Sequence, residues 1–199
     1  MTNELVLVRH ATCERMDEML LGRTVDAPLA TLGIREAEAM ACMLAAPPET
    51  LLVASPRRRT QQTAAAIAAR SRCELVTACD IDELDFGHWS GQTFSELARD
   101  PAWRRWNEQR DAAATPAGER IRDVQARVMH HLRQLRESFP GRPMILVTHG
   151  EVIRAALLHW LQAPADAYRR LAISPASVSR VSLSDRDARI DGINHRAPL

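Results

Sequence analysis

Lysine is absent from this sequence: all 26 basic residues are arginine. Base composition favouring Arg codons explains the bias as a whole, so it excludes no function. It does make every cationic side chain a planar guanidinium, suited to two-point contacts with phosphate or carboxylate. An excess of one charge is absent too. With 25 acidic residues and a formal net charge of +1, no global field exists to hold nucleic acid or an anionic membrane surface, and an anion site must come from a local cluster. Cysteine is scarce. Cys13, Cys42, Cys73 and Cys79 form no C-x-x-C pair and have neither zinc-site nor disulfide-framework spacing, so free thiols and no bound metal are expected. Long apolar runs are missing: the first, residues 5–8, stops at Arg9, far short of the roughly 20 residues of a membrane span, and short of a signal-peptide core. The expectation is a cytoplasmic protein without nucleic-acid or membrane partners.

What is present is an ordinary globular composition, 46% hydrophobic and 26% charged over 199 residues. A chain of this length buries roughly 70% of the surface its unfolded form exposes, enough for one domain spanning 1–199. Residues 5–8, 51–54 and 144–147 are short apolar runs between polar or turn residues, the pattern of strands covered on both faces. Residues 32–45, 60–69, 120–139 and 152–161 carry helical periodicity, so the alternation reads α/β with a parallel sheet. Pro47-Pro48, Pro140, Pro143 and Pro164 punctuate connections rather than domain boundaries. Residues 177–183 and 189–193 alternate apolar and polar around Ser184-Asp-Arg-Asp187, which reads as a hairpin or an edge strand. Residues 80–118, rich in Trp, Asp and Arg, break the alternation and read as an excursion covering a site.

In an open α/β sheet, ligands sit beyond the carboxyl ends of the strands, where helix N-termini offer free N–H groups to anions. The first run leads directly into Arg9-His10, and the 144–147 run leads into Thr148-His149-Gly150 ahead of a helix. Between them the 51–54 run ends in Ser55-Pro-Arg-Arg-Arg-Thr60, with a helix expected from about Arg59 or Thr60. Two histidines and an arginine cluster thus reach one sheet edge. A phosphoryl group held by two guanidiniums, two imidazoles and a helix N-terminus has its oxygens paired with charge-assisted donors while one imidazole nitrogen faces phosphorus. Such a site needs no metal. A lone histidine after a strand is usually structural, so the joint placement carries the reading.

These residues sit in blocks that resemble the histidine phosphatases, the phosphoglycerate mutase-like superfamily. LVLVRH at 5–10 is similar to the family's opening strand with its Arg-His pair. Gly22-Arg23, Asp26-Ala-Pro-Leu29, Gly33 and Ala37 resemble the stretch that follows. Residues 55–64 resemble S-P-L-x-R-A-x-Q-T-A, with Arg59 in register with its arginine. Residues 83–91 resemble E-x-D-F-G-x-W-E-G, and residues 147–154 the second-histidine motif. The resemblance covers most of the chain. It implies a three-layer α/β/α sandwich with a mostly parallel central sheet and an antiparallel edge strand. It also implies roles: His10 as nucleophile, Arg9, Arg59 and His149 on the phosphoryl oxygens, Glu83 as proton donor, and Arg23 and Gly150 as substrate-binding positions. No cofactor is implied. The expected partners are a small phosphorylated substrate, with phosphate, sulfate or vanadate as site ligands, and a homodimer is left open.

The sequence departs from the family pattern in places. Ala11-Thr12-Cys13 replaces the usual Gly-Glu-Thr or Gly-Gln-Thr, so Ala11 would be strained if that backbone needs positive φ. Met16 stands where many members have a phosphate-contacting Asn. Ser90 replaces a Glu, and Ala117 replaces the first Gly of a Gly-Gly-Glu segment. Asp82 or Asp85 competes with Glu83 for the role of functional carboxylate. Arg57 and Arg58 read as surface or substrate-tail residues, and Thr148 and Glu151 as supporting ones. Cys13 is a candidate redox-sensitive thiol, and His130-His131 read as surface histidines. The four tryptophans read as packing, with Trp103 or Trp106 a candidate to line a pocket. Three functions remain: a phosphomonoester hydrolase, favoured by the short chain and akin to the α-ribazole and broad-specificity phosphatase branches; a cofactor-dependent phosphoglycerate mutase; or an interaction module that has lost turnover.

Overall fold

In the computed structural model, which describes residues 3–184 and 187–199, six strands form one sheet. They are β1 (Asn3–Arg9), β2 (Leu51–Ala54), β3 (Leu75–Thr77), β4 (Met144–Thr148), β5 (Val178–Leu183) and β6 (Ala188–His195), in the order β3-β2-β4-β1-β5-β6. The β3-β2-β4-β1 portion is parallel, and β5 pairs antiparallel with both β1 and β6. The three strands read from the sequence are all present. The C-terminal alternation, read as a hairpin or an edge strand, forms the antiparallel pair β5–β6, and residues 185 and 186 between them lie outside the described residues.

Register explains why these strands are apolar at every position. Met144 is the partner of Leu5 on one side and of Leu51 on the other, so equivalent positions align in rows across the sheet. Leu5, Leu7, Leu51, Val53, Met144 and Leu146 share one core with helices α5 (Ile121–Ser138) and α6 (Gly150–Trp160). Val6, Val8, Leu52, Ala54, Ile145 and Val147 share the other with α1 (Thr31–Leu44) and α2 (Arg58–Ser71). Covering both faces gives the three-layer sandwich and requires hydrophobic side chains of both parities.

The excursion between β3 and α5 holds two short helices, α3 (Phe94–Leu97) and α4 (Pro101–Glu108). A Thr93/Glu96 capping box opens α3. Asp100 caps α4 by accepting from the Ala102 N–H, with Pro101 in the first turn. Two details differ from the sequence expectation. Helix α2 starts at Arg58, whose N–H donates to Asp26 Oδ1 at 2.7 Å, a cap supplied from 32 residues away. Strand β3 has only three residues and is partly exposed, too short and too wet to register as an apolar run.

Candidate active site

The carboxyl ends of β1, β2 and β4 are laced together: the His10 N–H donates to the Thr148 carbonyl and the Ser55 N–H to the Val147 carbonyl, each at 3.0 Å. This brings the imidazoles of His10 and His149 edge to face, with centroids 5.3 Å apart. His10 Nδ1 lies 2.9 Å from the Ala11 carbonyl oxygen. A carbonyl only accepts, so Nδ1 carries the proton and Nε2 keeps its lone pair. Burial, then the charges of Arg59 and Arg9, hold the His10 pKa well below its ordinary 6.5, which leaves the ring neutral at neutral pH.

His149 is fully buried, and its protons are fixed by its neighbours. The Ser55 hydroxyl donates to Asp82 Oδ1 at 3.0 Å, because a carboxylate cannot donate. Ser55 Oγ therefore accepts from His149 Nε2 at 2.7 Å, and His149 Nδ1 accepts from Arg59 Nη2 at 3.2 Å. Asp82 is held by Arg57 through contacts of 2.8 and 3.0 Å. Arg59, from the first turn of α2, is 1% exposed and also donates to the Gly22 carbonyl at 2.9 Å. Its Nε and Nη1, together with Arg9 Nε, are buried donors without a partner. Such donors carry a desolvation cost that an anion in the cavity would offset.

The backbone around Glu83 is clamped. Its carbonyl accepts from Arg23 Nε at 2.7 Å and Arg127 Nη2 at 3.2 Å, both arginines being tied to Glu119. Thr148 donates from its hydroxyl to Ile81 at 2.6 Å, fixing the same turn to the end of β4. Burial pushes the Glu83 carboxyl up to about 7; attraction from Arg59 opposes the shift and repulsion from Glu151 adds to it. A carboxyl poised there can give up and regain a proton near neutrality.

These groups meet in a cavity of about 260 Å³ lined by Arg9, His10, Arg59, Glu83 and Gly150 at one end. His149 backs the site through Arg59 and does not line the cavity itself. Gly150 begins α6, and a Cβ there would lie 3.4 Å from Arg9 Nε, at ordinary contact distance, so its backbone lies directly against that guanidinium. The excursion supplies Phe86, Phe94, Trp103, Trp106, Asn107 and Arg110 as a wall. Trp103 and Trp106 both line the cavity, whereas Trp89 packs behind them and donates to Asp100.

Several sequence-based readings change. Arg23 is not among the residues lining the cavity: its Nε donates to the Glu83 carbonyl and its Nη2 to Glu119, the geometry of a strut beneath Glu83. Asp82 and Asp85 lie off the cavity, with Asp82 ion-paired to Arg57, so Glu83 alone of the three faces it. Arg57, part-buried, is accordingly part of the support for His149 and not simply a surface or substrate-tail residue. Ala11 is fully buried and is not among the residues with positive φ, so the feared backbone strain is absent. Ala117 does sit at φ 60°, a conformation that glycine tolerates better. Cys13 is 3% exposed and burial pushes its thiol pKa up, which disfavours the reactive thiolate. His131 is part-buried against Asp80 at 3.5 Å rather than a surface residue. Sequence reasoning assigned no role to Asn107, Arg110 or Arg154. Arg154 lay inside a matched motif, while nothing local marks the other two.

A family model described as histidine phosphatase superfamily (branch 1) matches residues 5–196. The chain belongs to that superfamily, and it is an enzyme of the histidine phosphatase type. Among curated relatives, the "Probable phosphoglycerate mutase GpmB" of Yersinia pestis (strain Pestoides F) is 30% identical over 187 residues, covering 92% of this chain and 86% of the relative. Among solved structures, a mycobacterial glucosyl-3-phosphoglycerate phosphatase in complex with VO3 superposes with a TM-score of 0.85 at 28% identity, covering 96% of this chain and 98% of that one. A phosphoserine phosphatase mutant from Entamoeba histolytica, 22% identical with a TM-score of 0.86 and 96% of each chain covered, shares the fold.

Proposed function

We propose that the protein hydrolyses phosphomonoesters of small metabolites through a phosphohistidine at His10. The observation that carries this reading is the proton arrangement at the site. The imidazole of His10 is neutral, with Nδ1–H engaged by Ala11 and Nε2 bare, beside two arginines with buried unpartnered donors. In the first step the Nε2 lone pair forms a bond to phosphorus while the ester P–O bond breaks, and the Glu83 carboxyl proton passes to the departing oxygen. In the second step the Glu83 carboxylate takes a proton from water, the water oxygen attacks phosphorus, the P–N bond breaks, and inorganic phosphate leaves with Glu83 protonated again. Arg9 and Arg59 supply the positive charge that a metal ion provides in other phosphatases.

A mycobacterial relative forms a complex with VO3, which is in keeping with an anion subsite in this chain. A second reading, phosphoryl return to the substrate as in a mutase, is favoured by the name of the curated relative. Turnover of 4-nitrophenyl phosphate in EDTA, by the parent and by His10→Ala, tests the main reading. Activity in the parent and a loss of at least roughly a thousandfold in the variant are expected. Equal rates would contradict it, and interconversion of 3- and 2-phosphoglycerate would favour the mutase. Equal inactivity of both proteins, with no acid-labile phosphoenzyme, would mark an interaction module.

A further inference from the structure

His10 is held by a peptide group whose opposite end meets a buried carboxylate. The Nδ1–H of His10 donates to the Ala11 carbonyl at 2.9 Å, and the N–H of the same peptide unit, that of Thr12, donates to Glu36 Oε2 at 2.8 Å. The carbonyl and the N–H of a planar trans peptide point in opposite directions. Imidazole, peptide and carboxylate therefore form one head-to-tail chain, with the negative charge at its far end. Each bond in such a chain polarises the next. His10 and Glu36 are each 4% exposed, so water screens the chain little.

The fold builds this contact from separate segments. Helix α1 approaches the loop after β1 closely because residue 33 is glycine: a Cβ there would lie 1.8 Å from the Thr12 carbonyl oxygen. The Ala30 N–H donates to that carbonyl at 3.0 Å, and Glu36, one helical turn beyond Gly33, meets the Thr12 N–H on the other side. The Ala11 N–H donates to Thr63 Oγ1 at 3.1 Å, and the Thr63 hydroxyl donates to the Arg59 carbonyl at 2.7 Å. Residues 10–12 are thus pinned at every amide. The second oxygen of Glu36 pairs with Arg196 Nη2 at 3.0 Å, which keeps the buried carboxylate charged and in place. Burial first, then Arg59 and Arg9, push the His10 pKa down, and the bond to the Ala11 carbonyl works the other way. That bond is the route by which a distant negative charge favours a cationic ring.

We infer that Glu36 is a positioning residue for His10: acting through the Ala11–Thr12 peptide, it orients the imidazole and stabilises the positive charge that develops on the ring as Nε2 bonds to phosphorus. The inference rests on the nucleophilic role proposed for His10 above.

The test uses Glu36→Gln, which keeps an acceptor for the Thr12 N–H and removes the charge, and Glu36→Asp, which keeps the charge on a shorter side chain. The Arg196 side chain is 45% exposed, so it turns to water when its partner is neutral. For 4-nitrophenyl phosphate, whose leaving group needs no proton, kcat/KM reads attack by His10 without help from Glu83, while competitive inhibition by inorganic phosphate reads the anion site. In Glu36→Gln, kcat/KM should fall by roughly tenfold, the difference between a charge-assisted and a neutral hydrogen bond, with phosphate affinity unchanged. Glu36→Asp should recover part of the loss. In the parent, proton NMR should show a downfield, exchange-protected Nδ1–H resonance, assigned to His10 by its disappearance in His10→Ala, and Glu36→Gln should move it upfield. An unchanged kcat/KM in Glu36→Gln, a loss matched by an equal loss of phosphate affinity, or the absence of that resonance in the parent overturns the inference while leaving the hydrolase intact. Equal turnover by the parent and His10→Ala overturns both.

Discussion

At the scale of single residues, function depends on proton positions that burial enforces. Glu83 is the clearest case, its carboxyl raised from 4.5 to about 7 by burial first of all. In the proposed mechanism Glu83 must be protonated for phosphoryl transfer to His10, so kcat/KM for a phosphoester with a poor leaving group should decline as pH rises through about 7. The acid limb should lie below 6.5, because the His10 pKa is depressed. A profile still rising between neutrality and mild alkali would contradict this assignment. The same shift has a stability consequence. A carboxyl whose pKa is higher in the folded state contributes stability that is fully present below 4.5 and lost as pH rises through about 7. Glu83→Gln should therefore gain little near pH 4.5 and on the order of 3 kcal/mol above neutrality, read from denaturant melts at the two pH values. Ala117, at φ 60°, offers a simpler test: Ala117→Gly should stabilise the fold by about 1 kcal/mol, and a loss of stability would show that its methyl group packs usefully.

At the scale of elements, the strand ends do the positioning, and they were the most legible part of the sequence. Residues 5–8, 51–54 and 144–147 announce themselves by unbroken apolar character, and each is followed at once by the polar residues it delivers, Arg9-His10, Ser55 and His149. Contacts made across the fold leave no such trace. The Asp26 cap on α2, the pairing of Asp82 with Arg57, and the contacts of Arg110 with Tyr168 and Glu151 all join segments distant in sequence. The sequence around Arg57, which reads as a surface or substrate-tail residue, therefore gives no sign of its ion pair with Asp82. The β2–α2 connection carries its own prediction. Ser55→Ala removes the acceptor that fixes the His149 tautomer, and kcat should fall by roughly tenfold or more, the equivalent of one buried hydrogen bond. Steady-state kinetics on folded protein would read this, and an unchanged kcat would show that Arg59 alone holds the ring.

At the scale of the whole molecule, a nearly neutral protein concentrates positive charge in one place. Arg9, Arg59, Arg110 and Arg154 converge on one cavity while the formal net charge is only +1, so selectivity for anions is local and long-range attraction is weak. The sheet supplies that concentration by ending three strands at one edge, and the excursion closes over it. On the proposed reading all of this chemistry serves one event at His10, and trapping that event tests the account most directly. Glu83→Gln still permits attack on 4-nitrophenyl phosphate, whose leaving group needs no proton, but lacks the base for hydrolysing the product. Mass spectrometry of that variant after mixing should find a single acid-labile phosphoryl group on the peptide containing His10. Steady hydrolysis by the parent with no phosphoryl group trapped, or one trapped on another residue, would contradict the account.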